Sequence, residues 1–171
     1  TSFDDLVRDL IDEQFADNPL LGSALGDTRF DALLADLSAD AIADRERRED
    51  GWSARLAAHD DAALTDEQRV DRDLALMVLR GRSLMRGWAD WRRSPDHYAG
   101  TALTSVFTLL LNRIRSLPEL ADAVAARLDA TPRLLAQGEA NLDPDLAHPA
   151  LLRRALGQIA AGAADARSVG E

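Results

Sequence analysis

The sequence predicts an all-α protein, an array or bundle of six to seven helices with no sheet, and three observations predict it. The apolar fraction of 46% rests on Ala and Leu, with aromatic residues at only 5%; Ala and Leu are strong helix formers, whereas β-branched and aromatic side chains favour strands. Apolar residues recur at three- and four-residue steps over several segments, the spacing of one helix face. Helix-start signals, a Ser or Thr followed three residues later by Asp, Glu or Gln, stand in front of those segments, and no segment alternates with the period of a strand.

Taken in order, Ser2 with Asp5 opens a first helix in which Phe3, Leu6, Val7, Leu10, Ile11 and Phe15 keep one face. Asn18-Pro19 closes it, because the residue before a proline is pushed out of the helical region. The segment PLLGSALGDTRFDALLADLS reads as a turn-rich connector with Gly22 and Gly26 as breakers and a turn or two of helix around Leu33 to Leu37. Ser38 caps a charged helix in which only Ile42, Trp52 and Leu56 are large and apolar, so most of its surface should be solvated. Thr65 with Gln68 opens the helix with the clearest pattern: Val70, Leu74, Met77, Gly81, Leu84, Trp88 and Trp91 step by fours and threes, a packing seam that should run until Pro95 stops it. A third apolar helix, from about Gly100 to Arg115, carries Leu103, Val106, Phe107, Leu110, Leu111 and Ile114. SLPE at Ser116 starts another helix through Ala130, TPRLLAQGEANL the next from Thr131, and a last one runs from about Pro149 to Ala166.

With 171 residues, residues 1–171 read as a single helical domain, which buries roughly 70% of the surface of the unfolded chain. All 20 basic residues are Arg, against 30 Asp and Glu, for a net charge of -10. Phosphate backbones and anionic lipid surfaces repel such a chain, so neither nucleic acid nor membrane is expected as a partner. The most apolar piece, TALTSVFTLLL, is too short to span a bilayer and is followed by Asn112 and Arg113. Without cysteine there is no disulfide, no thiolate nucleophile and no Cys-based metal site, and a cytoplasmic location is the simplest reading.

The chemistry-bearing residues are sparse. His59, His97 and His148 lie far apart, and no HxxxH, HExxH or ExxH spacing accompanies them, so neither catalytic nor metal-ligating residues are expected in this chain. The DPD at Asp143 to Asp145 lacks the rest of a calcium loop and reads as a turn. HDD at His59 and DRD at Asp71 sit in exposed, Arg-rich contexts, where two carboxylates have nothing to separate their pKa values for acid and base work. No serine has a nucleophile elbow, and no glycine-rich loop could cradle a phosphate. Arg80, Arg82, Arg86, Arg92 and Arg93, interleaved with Trp88 and Trp91, could stack and pair with a single strand, but the net charge favours pairing with the Asp-rich neighbouring helix.

The order of FADNPLLGSALGDTRFDALLADLS, LTDEQRVDRDLAL, WADWRRSPDHYAG, LTSVFTLLLNRIRS, ARLDATPRLLAQGEANLD and RRALGQ resembles the bacterial DUF885 proteins over nearly the entire chain. The resemblance implies a longer, mostly helical, gluzincin-type metallopeptidase whose HExxH zinc motif lies downstream, with this chain as its opening third. Zinc would then belong to the full-length protein and the remainder of the polypeptide would be the principal partner. The N-terminal helices would form a wall or lid of the cleft that receives a peptide substrate, and this chain would be inactive alone. Tyr98 and Arg113 are the candidate substrate contacts, since a phenol and a guanidinium near helix ends can bind a peptide carbonyl or carboxylate. The other reading packs Tyr98 at a helix junction and pairs Arg113 with an Asp. A free-standing helical interaction module is the alternative to the peptidase reading as a whole.

Overall fold

The computed structural model describes residues 2–111 and 114–168, with side chains described to residue 164. Helix α1 is Phe3–Asp17, α2 Pro19–Ala24, α3 Ala39–Ala57, α4 Asp66–Arg86, α5 Asp90–Arg93, α6 Asp96–Leu111, α7 Leu117–Asn141 and α8 Pro149–Ser168, with 3-10 turns at Thr28–Phe30 and Asp61–Ala63. Six of these helices are long, α2 and α5 are short, and no strand occurs among the described residues. The all-α expectation is therefore met.

The caps sit where the sequence put them. Ser2 and Asp5, Thr65 and Gln68, and Ser116 and Glu119 each exchange both capping-box hydrogen bonds, and Ser38 accepts from the Ala41 amide at 3.3 Å. Each cap satisfies amides that the first turn would otherwise leave without partners.

Four boundaries differ from the sequence reading, each for a physical reason. Asn18-Pro19 stops α1 but also starts α2: Asn18 accepts from the Leu21 amide and Pro19 takes the first turn, where its missing N–H costs nothing. The connector's helix is thus at its front, and residues 31–38 are non-helical, with Leu34, Ala35 and Leu37 buried. Gly26, at φ +96°, supplies the left-handed step that leaves α2. The second change is that α4 ends at Arg86 and not at Pro95, because Ala89 turns back at φ 50° and α5 follows. The third is that α6 begins at Asp96, a full turn before Gly100.

The fourth is that the segments on either side of Thr131 form one 25-residue helix with Pro132 inside it. Arg127, Leu134 and Gly138 anchor it on both sides of the proline, and Thr131 donates its hydroxyl to the Arg127 carbonyl at 2.8 Å.

Two apolar clusters form the core. Phe3, Leu6 and Leu10 of α1 pack with Trp52 and Leu56 of α3, and with Leu64 and Leu79 at α4. Leu34, Ala35 and Leu37 pack with Tyr98 of α6 and Leu134 of α7. Each fully buried Leu or Phe contributes roughly 1.5 to 3 kcal/mol.

The seam expected on α4 faces outward. Val70, Leu74, Met77, Leu84 and Trp88 are all exposed, from 52% for Trp88 to 75% for Leu84, while Leu79 on the opposite side is buried. Charge explains the choice of face. Arg72 reaches the His59 carbonyl and Asp61; Arg82 reaches Glu49; Arg86 reaches Glu49, Asp50 and the Glu46 carbonyl. These arginines flank Ala75, Leu76 and Leu79, so pairing with the acidic α3 turns that shorter stripe inward. Arg82 and Arg86 thus pair with the neighbouring acidic helix, as the charge balance predicts.

Candidate functional site

The α1–α2 junction, α3 and the start of α6 meet around a polar hollow. It consists of two adjoining clefts of about 330 and 680 Å³ that share Asp17, Asn18, Arg45, Asp90 and His97 on their rims. The larger cleft adds Leu20, Leu21, Ala35 and Leu37 as an apolar wall, and Asp96, Thr101 and Gln158 as polar lining. Volumes of this order suit a small organic ligand.

Each polar group is placed by its helix. Asp17 is held by Arg48, whose two terminal nitrogens meet its two oxygens at 2.8 and 3.0 Å. Arg48 also reaches Glu13 and Asp44, and these carboxylates hold its proton more tightly than usual, Asp17 foremost. Arg45, one turn back on α3 and half-buried, makes no hydrogen bond or ion pair among the described residues. At the start of α6, Asp96 pairs through one oxygen with Arg154 of α8. His97 directs Nδ1 toward Asp90 at 3.6 Å, and burial lowers its pKa from 6.5 despite the opposing pull of Asp90. His97 Nε2, Asp96 Oδ1 and Gln158 Oε1 are buried atoms without hydrogen-bond partners. Such an atom costs on the order of 1 to 3 kcal/mol if nothing satisfies it, and all three belong to residues that line the larger cleft.

Tyr98 turns the other way. It is 2% exposed, its hydroxyl donates to the Trp91 carbonyl at 2.6 Å and accepts from Asn141 Nδ2 at 3.0 Å, and its ring lies against Gly138. Burial raises its pKa above 10.0. At this corner the side chain on the cleft is His97, and Tyr98 packs at the junction of α6 and α7. Arg113, the other sequence candidate, lies outside the described residues. Arg45, Asp96 and Gln158 escaped sequence reasoning because they come from three helices: in ADRERRED, nothing local separates the unpaired Arg45 from Arg47 and Arg48.

The histidines do not converge. His59 meets Phe3 edge-on at 5.4 Å, and His148 accepts from the Ala150 amide at 3.2 Å. No group of three or more His, Asp and Glu among the described residues could hold a metal ion.

The model of one family, described as "Bacterial protein of unknown function (DUF885)", matches residues 19–170. The chain belongs to this family. No curated protein and no solved structure matches it. The match begins at Pro19, so α2, the Arg45 helix, the His97 corner and α8 all lie within the matched residues.

Proposed function

We propose that the chain is the N-terminal helical region, a cleft wall or lid, of a zinc-dependent peptidase or related hydrolase of the DUF885 family. It carries no catalytic residues of its own. The observation that supports this reading most is the open stripe of α4, where Val70, Leu74, Met77 and Leu84 stand in solvent along one face, with Trp88 exposed just past the helix end. A contiguous apolar face of this kind marks an interface, and the remainder of the polypeptide would cover it. The polar hollow beside His97 would then face the peptide substrate.

The residues present do not fit zinc, since the three histidines are dispersed and no carboxylate pair completes a ligand set among the described residues. Zinc ligands belong to the rest of the polypeptide in this reading. No helix is long and apolar enough to cross a membrane among the described residues, and a cytoplasmic address is part of the proposal.

The test begins with the reading frame beyond Glu171. An HExxH motif there, zinc bound by the longer polypeptide, and hydrolysis of model peptides by it but not by this chain with zinc supplied are the expected results. A frame that continues without HExxH, or peptide turnover by this chain alone, overturns the proposal. A free-standing interaction module uses the same α4 stripe for a separate partner; it is favoured if the frame lacks the motif and the stripe is protected from exchange only in a complex.

A further inference from the structure

We infer that the hollow between α3 and α6 is a carboxylate-recognition site, in which Arg45 and His97 hold the carboxylate of an amino acid or short peptide while Asp96 and Gln158 accept its N–H groups. Three observations carry this. The first is the isolation of Arg45. In a chain with ten more acidic than basic residues, its neighbours Arg47 and Arg48 both pair with Asp44, whereas Arg45 is half-buried at the shared rim of both clefts without a counter-ion. A partly desolvated guanidinium left unpaired beside so many carboxylates is a fork-shaped donor set awaiting an anion.

The second is the complement of unsatisfied atoms. His97 Nε2 has no partner, and it becomes a donor when the ring takes up a proton while Nδ1 faces Asp90. Asp96 Oδ1 and Gln158 Oε1 are acceptors without donors, and both residues line the larger cleft. One cation and a convertible imidazole thus share a hollow with two free acceptors, the inverse pattern of a zwitterion. The third is the surroundings. Leu20, Leu21, Ala35 and Leu37 form an apolar wall for an aliphatic side chain, which inorganic phosphate lacks.

The inference concerns binding alone and stands whether or not a longer polypeptide is a peptidase. Its test is calorimetric titration of the full chain with the dipeptide alanyl-leucine, its C-terminal amide, its N-acetyl form and inorganic phosphate. The free dipeptide should bind, and amidation should weaken it by about tenfold or more, the loss expected for a charge-assisted bidentate contact. Acetylation should weaken it less, and phosphate should bind more weakly than the dipeptide. Arg45→Ala should lose binding by a similar factor with its melting temperature unchanged, because Arg45 holds nothing in the fold, whereas Arg47→Ala removes the same charge from the same helix and should leave affinity unaltered. In ring spectra of the three histidines, His97 should shift on titration while His59 and His148 stay. Equal binding of dipeptide and amide, tighter binding of phosphate, no binding of the dipeptide, or full affinity in Arg45→Ala would each overturn the inference.

Discussion

At the residue scale, the corner at His97 and Tyr98 shows how adjacent side chains take opposite roles. Tyr98 is locked by two hydrogen bonds and by a close approach to Gly138, where a Cβ would stand 2.6 Å from the ring's Cγ. The ring cannot retreat, because its hydroxyl is tied to the Trp91 carbonyl. Gly138→Ala should therefore destabilise the protein by about 1 to 3 kcal/mol, as overpacking does, although alanine is the better helix former. Urea denaturation measures this, and a variant as stable as the parent would refute the close contact. His97 sets a pH dependence. Burial keeps its folded-state pKa below 6.5, so the unfolded chain takes up the proton first as the medium acidifies. Its contribution to stability is complete above about pH 6.5 and is lost as pH falls through that value toward the folded pKa. Asp36 and Asp44, held below their ordinary 3.8 by hydrogen bonds from the Ser38 amide and from Arg48, lose theirs only in the more acid range. His97→Gln should flatten the stability profile just below about pH 6.5 and leave the acid limb intact, whereas an unchanged slope there would remove His97 as its source.

At the scale of elements, α4 carries two apolar stripes, and the arginines decide between them. The longer stripe is richer in large side chains, but packing it inward would strand Arg72, Arg82 and Arg86 away from the carboxylates of α3 and of the turn after it. Replacing Leu84 and Trp88 with Gln should change stability by no more than about 0.5 kcal/mol, the behaviour of surface sites, while Leu79→Ala should cost about 2 to 5 kcal/mol through the cavity it leaves. Chemical denaturation of the two variants separates these outcomes, and a large loss from the Gln pair would place the outer stripe in the core. The same Gln pair should lower binding of a hydrophobic dye to the native protein.

At the scale of the whole molecule, one buried cation ties several helices together. Arg127 is 0% exposed and donates to the Ser105 carbonyl of α6, to Ser23 Oγ of α2 at 2.6 Å and to the Phe30 carbonyl at 3.2 Å. Burial lowers its pKa, and the nearby Asp31, which Arg115 grips directly, opposes that shift. The guanidinium bridges α2, the Phe30 turn and α6 at the place where they converge on α7. Arg127→Met keeps much of the volume but removes the charge-assisted hydrogen bonds to all three segments, and a loss of about 2 to 3 kcal/mol is expected. A variant that unfolds at the parent's urea midpoint would show that water or neighbours replace the guanidinium.

Much of this architecture is legible along the chain. Helix starts at Ser2, Ser38, Thr65 and Ser116 depend on residues three apart, so local chemistry determines them, as it does the all-α class. Family membership is also written in the order of local segments, from Pro19 to α8. The tertiary structure alone decided which face of α4 turns inward, that Pro132 could be carried inside one helix, and that Tyr98 is core while His97 faces the hollow. It alone separated Arg45 from the paired arginines beside it and brought it to the same hollow as Asp96 and Gln158, the latter more than a hundred residues away along the chain. The physical reason is range: capping and periodicity act within a turn or two, whereas burial and charge pairing depend on neighbours that only the folded chain supplies.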